Sequence, residues 1–442
     1  MYPHFTALCQ EGVVAIRQMW RESAMDSMQE RVGERACGMA WTHELMSCAP
    51  DILFYVACVV WIAYAILGAT PLQPGLDVAG ITQGFVVHRV ELLLAASELV
   101  RIWRREYGPR DATALVVFAV MSLCAWCCDW PDVICANLLV LCARNIPLRK
   151  VLAVSIGTVI VVAMGVVLAS LCGIVPDFII EHAHGTRIRH CLGFTYPLFP
   201  AMYLFVITCV LCWLRCENMR MWEAALLVLA NVGMLMLTRA RLSGLLAIVC
   251  VGMTLAFARI DTPRTRRIVE VASWAFVITV TITVAVTIAY ALVGDAGVIG
   301  ALNKALGQRV RRGYEGVVNM GVPLFGQNAP WVGNGLNAFG EGAQMQSGYN
   351  WVDNAFLHAA IQYGLAYTFG LVALYTAAVR QACRQGDVLL VVALALLALH
   401  MLVDDLALQL HYNVLLFVVA GIGRVSARVP QEGEGLPDCT YV

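Results

Sequence analysis

Charge is what this chain has least of. Of its 442 residues only 14% are charged, lysine occurs just at Lys150 and Lys304, and 30 basic side chains cancel 30 acidic ones. A net charge of zero gives no ground for a polyanionic partner such as nucleic acid. The scarcity of charge, beside 60% hydrophobic residues and a mean hydropathy of +0.73, excludes an ordinary soluble enzyme and indicates an integral membrane protein. A dinucleotide fingerprint is also missing, since Gly333, Gly335, Gly340 and Gly342 form no GxGxxG after a strand. No small-residue cleavage pattern follows the first apolar segment, which therefore reads as a retained span. Cysteine is plentiful, at 17 residues, but most lie in apolar runs. Cys124, Cys127 and Cys128 imitate CxxC inside a predicted span, where cysteine is a small apolar filler.

What is present is a succession of apolar runs, most of them long enough to cross ~30 Å of hydrocarbon as a helix. The expected fold is all-α and polytopic, with about twelve spans near 52–69, 82–100, 112–127, 131–143, 151–174, 195–214, 222–237, 243–258, 270–293, 354–378, 387–403 and 411–424. Residues 1–50 contain no such run and are expected to be a cytoplasmic leader, with Met28, Met39 and Met46 as alternative starts. Residues 51–425 form the membrane domain and 426–442 a cytoplasmic tail. Arginine sets the orientation, because short cytoplasmic loops retain it. With both termini inside, Arg101, Arg104, Arg105, Arg110, Arg144, Arg149, Arg215, Arg220, Arg259, Arg264, Arg266, Arg267, Arg380 and Arg384 fall on the cytoplasmic side.

The exceptions carry more information. Outside, basic residues are expected at three places: Arg187 and Arg189, Arg239 and Arg241, and the cluster from Lys304 to Arg312. That cluster opens an external segment, 294–353, between the ninth and tenth spans. A loop of this size between helices is usually functional. Arginine near membrane depth is costly unless it snorkels or is paired. Three basic points on one face suit a phosphate-bearing ligand, which the guanidinium fork binds in two-pronged fashion.

Here the motifs resemble a family. GTRIRHCLGFTYP (185–197) is similar to the R-x-R-x-x-LGF-x-HP element of bacterial Wzy-type polysaccharide repeat-unit polymerases, of the O-antigen polymerase and ligase superfamily. Thr238, Ala240 and Arg241 in LTRARLSG resemble its T-x-S-R element. LNKALGQR, LFGQ and VDNAFLHAAIQYG follow the order of its external segment. The chain departs from the pattern at Tyr196-Pro197-Leu198, where the family has His-Pro-Asn, and at Asp353-Asn354, where the ligases have His-Asn. The resemblance implies a multi-pass protein of the bacterial cytoplasmic membrane, similar in fold to polyprenol-dependent glycosyltransferases. It would polymerise undecaprenyl-pyrophosphate-linked oligosaccharide into capsular or exopolysaccharide, with a flippase and a chain-length regulator as partners. A ligase of finished glycan, or a flippase, is the alternative; a transporter usually shows two related halves, and one large external segment has no earlier counterpart.

Glycosyl transfer from a pyrophosphate carrier passes through an oxocarbenium-like transition state. It needs donors for the departing diphosphate, each supplying roughly 2.7–4 kcal/mol. Arg187, Arg189, Arg241 and Arg309 are the candidates, with Arg311 and Arg312 expected to be solvated. Asp353 and Asn354 are candidates for orienting or deprotonating the acceptor hydroxyl, and each is also a favoured helix N-cap. His358 is the rival base; Asn354, His358 and Gln362 recur every four residues as a polar stripe. Trp331 and Trp351 either stack on sugar or anchor at the interface. Asp404, Asp405, His411 and Asn413 make a further polar tip, serving either the site or helix ends. This reading requires neither metal nor cofactor.

Overall fold

In the computed structural model, residues 37–423 are described apart from 105–106, 182–187, 216–217, 258–262 and 343–347. Residues 1–49 form a unit of their own, described from 37 onward as the first turns of α1 (Cys37–Gly68). The second unit, from Pro50 onward, is mostly helical. After α1 come α2 (Gln73–Val78), α3 (Gln83–Trp103), α4 (Pro109–Cys127), α5 (Pro131–Cys142), α6 (Leu148–Leu171), α7 (Leu198–Arg215), α8 (Met221–Thr238) and α9 (Arg241–Phe257). Then follow α10 (Pro263–Ala272), α11 (Ala275–Val293), α12 (Gly297–Ala305), α13 (Arg309–Met320), α14 (Ala355–Gln362), α15 (Gly364–Arg384) and α16 (Val388–His400). The chain closes with 3-10 turns at Leu406–Leu408 and Val414–Gly421. One departure from an all-helical chain is a small antiparallel ribbon of β1 (Ile179–Glu181) and β2 (Ile188–His190).

Six described helices are long and apolar enough to cross a membrane: Cys48–Gly68, α4, α6, α7, α8 and α11. Helices α9 and α16 are apolar but shorter. The remaining runs differ from simple spans for local reasons. Helix α3 carries His88, Arg89, Glu91, Glu98 and Arg101, and the last run is a 3-10 helix of 8 residues. The run 354–378 is broken at Gly364, whose φ of +86° suits only glycine. A Cβ there would lie 2.6–2.7 Å from the backbone of Leu324 and Phe325. The segment 323–327 enters this break and hydrogen-bonds across it, Leu365 N to Pro323 O, Ala366 N to Leu324 O and Gln327 N to Gln362 O.

Start signals place the helices. Proline opens α4 and α5, Thr82 accepts from Phe85 N at 3.3 Å, Asp387 from Leu390 N at 3.1 Å, and Asn354 from Phe356 N and Leu357 N. The cysteines behave as apolar filler, with Cys58, Cys124, Cys128, Cys135, Cys142, Cys209, Cys212 and Cys250 free and buried.

Hydrogen bonds sort the connectors to two ends. At one end, Arg101 and Arg144 share Glu98, Arg144 also binds Asp111, Arg110 reaches Ile422 O, Trp213 reaches Asp387 and Gln381 reaches Gly421 O. At the other, Thr195 N meets Ala69 O, Gln83 meets Asp132, Arg189 meets Thr238 O, Leu336 N meets Thr195 O and Ala355 N meets Met401 O. The first end holds most of the arginine-bearing connectors. The second holds the 294–353 segment.

Candidate functional site

The start of α13 is built to hold Arg309. Gly307 and Gln308 both take left-handed φ, 65° and 69°, and reverse the chain after α12. Asn303 is fully buried there, donates to Asp295 and Gln308, and accepts from Arg311 N at 3.0 Å. Across from it, the extended residues 350–354 run into α14, where Asn354 fixes the entry. Its carbonyl oxygen caps the helix, while its amide donates to Thr283 Oγ1 at 3.1 Å and Leu402 O at 2.8 Å. The amide is thus fully used by the scaffold. One residue earlier, Asp353 Oδ2 accepts from Arg309 Nε at 3.1 Å, and Oδ1 accepts from the Tyr349 hydroxyl at 3.1 Å. The guanidinium of Arg312 lies 4.5 Å from the centre of the Tyr349 ring. Arg312 is therefore packed into the site, which corrects the expectation that it is solvated. Arg311 is exposed and pairs with Glu315 at 2.7 Å.

Tyr196 joins the second basic point to this group. Burial pushes its hydroxyl up to about 12, the charges of Asp353 and Asp404 add to the shift, and Arg189 and Arg309 oppose it. The phenol thus stands within electrostatic reach of all four. Arg189, on β2, lies 6.0 Å from the Tyr196 ring, and its Nε donates to Thr238 O at 3.0 Å. For Arg309, burial works against the charge, and the carboxylates of Asp353 and Asp404 more than restore it, so its pKa stands above the ordinary arginine value.

The third basic point is adjacent. Thr238 ends α8, Arg239 turns the chain at φ 57°, and Arg241 opens α9 with its side chain exposed. Neither arginine's guanidinium makes a hydrogen bond or ion pair among the described residues, so geometry does not separate Arg241 from Arg239. Two residues on, Ser243 Oγ lies 2.9 Å from His400 Nε2. Arg187 lies outside the described residues.

Of the stripe of Asn354, His358 and Gln362, the last two face the underside of the 294–353 segment, while Asn354 turns to Thr283 and Leu402. His358 is buried, stacked on Trp331 with ring centres 4.7 Å apart, and flanked by Trp351 at 5.0 Å. Trp331 Nε1 donates to Gln362 Oε1 at 2.7 Å, and Trp351 Nε1 to Asp405 Oδ1 at 3.0 Å. Both indole N–H groups thus point inward, while both residues stay half-buried rather than buried. They clamp the segment onto α14 and cover His358, whose Nδ1 is 3.8 Å from Asp405 Oδ2. Asp353, by contrast, lies on the Arg309 side, with Tyr349 and Arg309 as its partners.

Beneath lie Asp404 and Asp405, both buried. Burial raises both carboxyls above the ordinary carboxylate range, and the neighbouring acidic charges push the same way. Asn413 donates to Tyr375 and Ala407 O and serves the scaffold. Sequence reasoning missed Tyr349, four residues before Asp353, and the packing of Arg312. A cavity of about 630 Å³ among α4, α5, α15 and the last 3-10 turn lies at the opposite end, beside Arg110 and Gly423.

Compared with protein families, curated proteins and solved structures, the chain matches none. The family likeness therefore stands on the short motifs alone.

Proposed function

We propose that this chain is a membrane glycosyltransferase that polymerises lipid-pyrophosphate-linked oligosaccharide units at the outer face of the bacterial cytoplasmic membrane. The observation that carries the reading is the gathering of Arg189, Arg309 and Arg312 around Tyr196, Tyr349 and Asp353, at the end away from most of the arginine-bearing connectors. With those connectors in the cytoplasm, the cluster faces outward. In this arrangement the chain makes about twelve crossings, the shorter and broken helices included, and 294–353 is the external segment. Residues 1–50 are the leader and 426–442 the tail.

In the proposed reaction an acceptor hydroxyl oxygen bonds the anomeric carbon as the bond from that carbon to the phosphate oxygen breaks. The electron pair leaves on the diphosphate, which Arg309, Arg189 and Arg241 neutralise, together with Arg187. Asp353 accepts the hydroxyl's hydrogen bond and orients it. Both of its oxygens already accept hydrogen bonds, from Arg309 and Tyr349, and the hydroxyl's proton passes through this carboxylate to solvent as the new bond forms; stabilising the charge on the leaving group is the larger contribution to the rate. Asn354 and His358 position this group from beneath. The partners in this reading are undecaprenyl-pyrophosphate-linked glycan, membrane lipid, a flippase and a chain-length regulator.

Purified protein given lipid-linked repeat units, without nucleotide sugar, is expected to produce a ladder of products. A single transfer onto another acceptor would establish a ligase instead, and substrate that only crosses a liposome bilayer a flippase.

A further inference from the structure

At the same end of the bundle as Asp353, a second cavity of about 180 Å³ opens between α1, the start of α3, the start of α5 and the connector after α16. Its walls combine aliphatic residues with the aromatic and polar side chains of Trp61, Tyr64, Trp130, Gln83, Asp132 and Gln409. By volume it admits on the order of ten waters, enough for one sugar ring. Two of its polar atoms are buried without a hydrogen-bond partner, Trp61 Nε1 and one carboxylate oxygen of Asp132, whose other oxygen accepts from Gln83. Trp61 itself is only 3% exposed. A buried donor and acceptor left unpaired beside the cavity are costly, and a ligand supplying both hydroxyl and ether oxygens satisfies them together once the two side chains turn into it.

The cavity is also tied to the first site. His411, on its wall, continues through Tyr412 (ring centres 4.1 Å apart) and Phe199 (5.0 Å) to Tyr196 (5.5 Å). Thr195 is bonded twice to Ala69, the neighbour of the wall residue Gly68. Three ring-to-ring steps separate the two sites, the reach of a short oligosaccharide.

We propose that this cavity is a saccharide subsite that takes one neutral pyranose of the glycan whose reacting end lies at Asp353. This rests on the transfer reading for the identity of the chain bound. The indoles face the ring, Trp61 Nε1 donates to a ring or hydroxyl oxygen, and Asp132 accepts from hydroxyls. A uronic acid would bring its carboxylate into a cavity whose walls hold no arginine or lysine to pair it.

The test uses the full chain in lipid nanodiscs, free of glycoside detergent, and saturation-transfer NMR with the methyl glycosides of glucose, galactose, mannose, N-acetylglucosamine and glucuronic acid. At least one neutral glycoside should bind saturably, and the glucuronoside about tenfold more weakly or not at all. Trp61→Phe and Asp132→Asn should each weaken binding about tenfold, the loss of one hydrogen bond to a buried group. Gln83→Ala, at an exposed position that folding tolerates, should weaken it severalfold, and Arg309→Ala should leave it unchanged. No saturable binding by any neutral glycoside, equal binding of the glucuronoside, or wild-type binding by folded Trp61→Phe or Gln83→Ala would overturn the subsite. Glycoside binding without ladder formation would refute the transfer reading and keep this one, whereas a ladder without glycoside binding would do the reverse.

Discussion

Removing Arg309 separates a catalytic guanidinium from a structural one. Its Nε lies 3.1 Å from Asp353 Oδ2, with side-chain exposures of 32% and 14%. At that distance the gross attraction is about 5 kcal/mol for an effective dielectric of 20. Desolvation of both partners offsets most of it, so the pair's net worth lies between that of exposed and buried pairs, about 1–2 kcal/mol. Arg309→Ala should therefore fold, with a stability loss of that size in a thermal unfolding experiment. Its effect on extension should be larger, because a donor aimed at leaving-group charge is worth roughly 2.7–4 kcal/mol, about 10²–10³ in rate. Arg309→Lys should recover part of it, as a point charge without the fork. The deciding variant is Arg309→Ala with Asp353→Ala, scored by the product ladder. If the double variant recovers to near wild-type rate, Arg309 serves only to neutralise Asp353, and the diphosphate role is refuted.

Arg144→Ala leaves Glu98 to Arg101 and takes the guanidinium from Asp111 at the arginine-rich end, and should cost about 1.5–3 kcal/mol in unfolding experiments, the worth of hydrogen bonds to charged groups; a loss below 1 kcal/mol would show the cluster to be solvated. Gly364→Ala adds left-handed strain and a backbone clash, together about 2–4 kcal/mol, and should release the segment 323–327 to proteolysis; an uncleaved, fully stable variant would contradict the fit. Burial and the neighbouring acidic charges hold the Asp404 carboxyl above the ordinary carboxylate range in the folded protein, whereas it titrates within that range when unfolded. The folded state thus binds the extra proton above the ordinary carboxylate range, and stability should fall as pH rises from there, less steeply in Asp404→Asn. A wild-type profile that is flat there, or a variant with unchanged slope, would be inconsistent with a buried carboxyl.

Apolar run length alone fixed the membrane class and placed helices such as α6, α7 and α11 within a few residues, since twenty apolar residues in a bilayer have no alternative to helix. The positions of Arg309 and Asp353 in the 294–353 segment were likewise legible as a basic cluster and an acidic corner, because so polar a stretch stands out against its surroundings. Which partners they take was not legible. That Arg309 meets Asp353, 44 residues away, and that Arg312 lies on Tyr349 while Arg311 stays in solvent, depends on the turn at Gly307 and Gln308 and on the break at Gly364. Trp331 and Trp351 read equally well as sugar platforms or interface anchors, and only packing showed them folded inward over His358. Local sequence sets what each residue is able to do, through period, polarity and φ preference. Long-range contacts decide which neighbour it does it with, because they close only when distant helices pack, and no local pattern encodes that register.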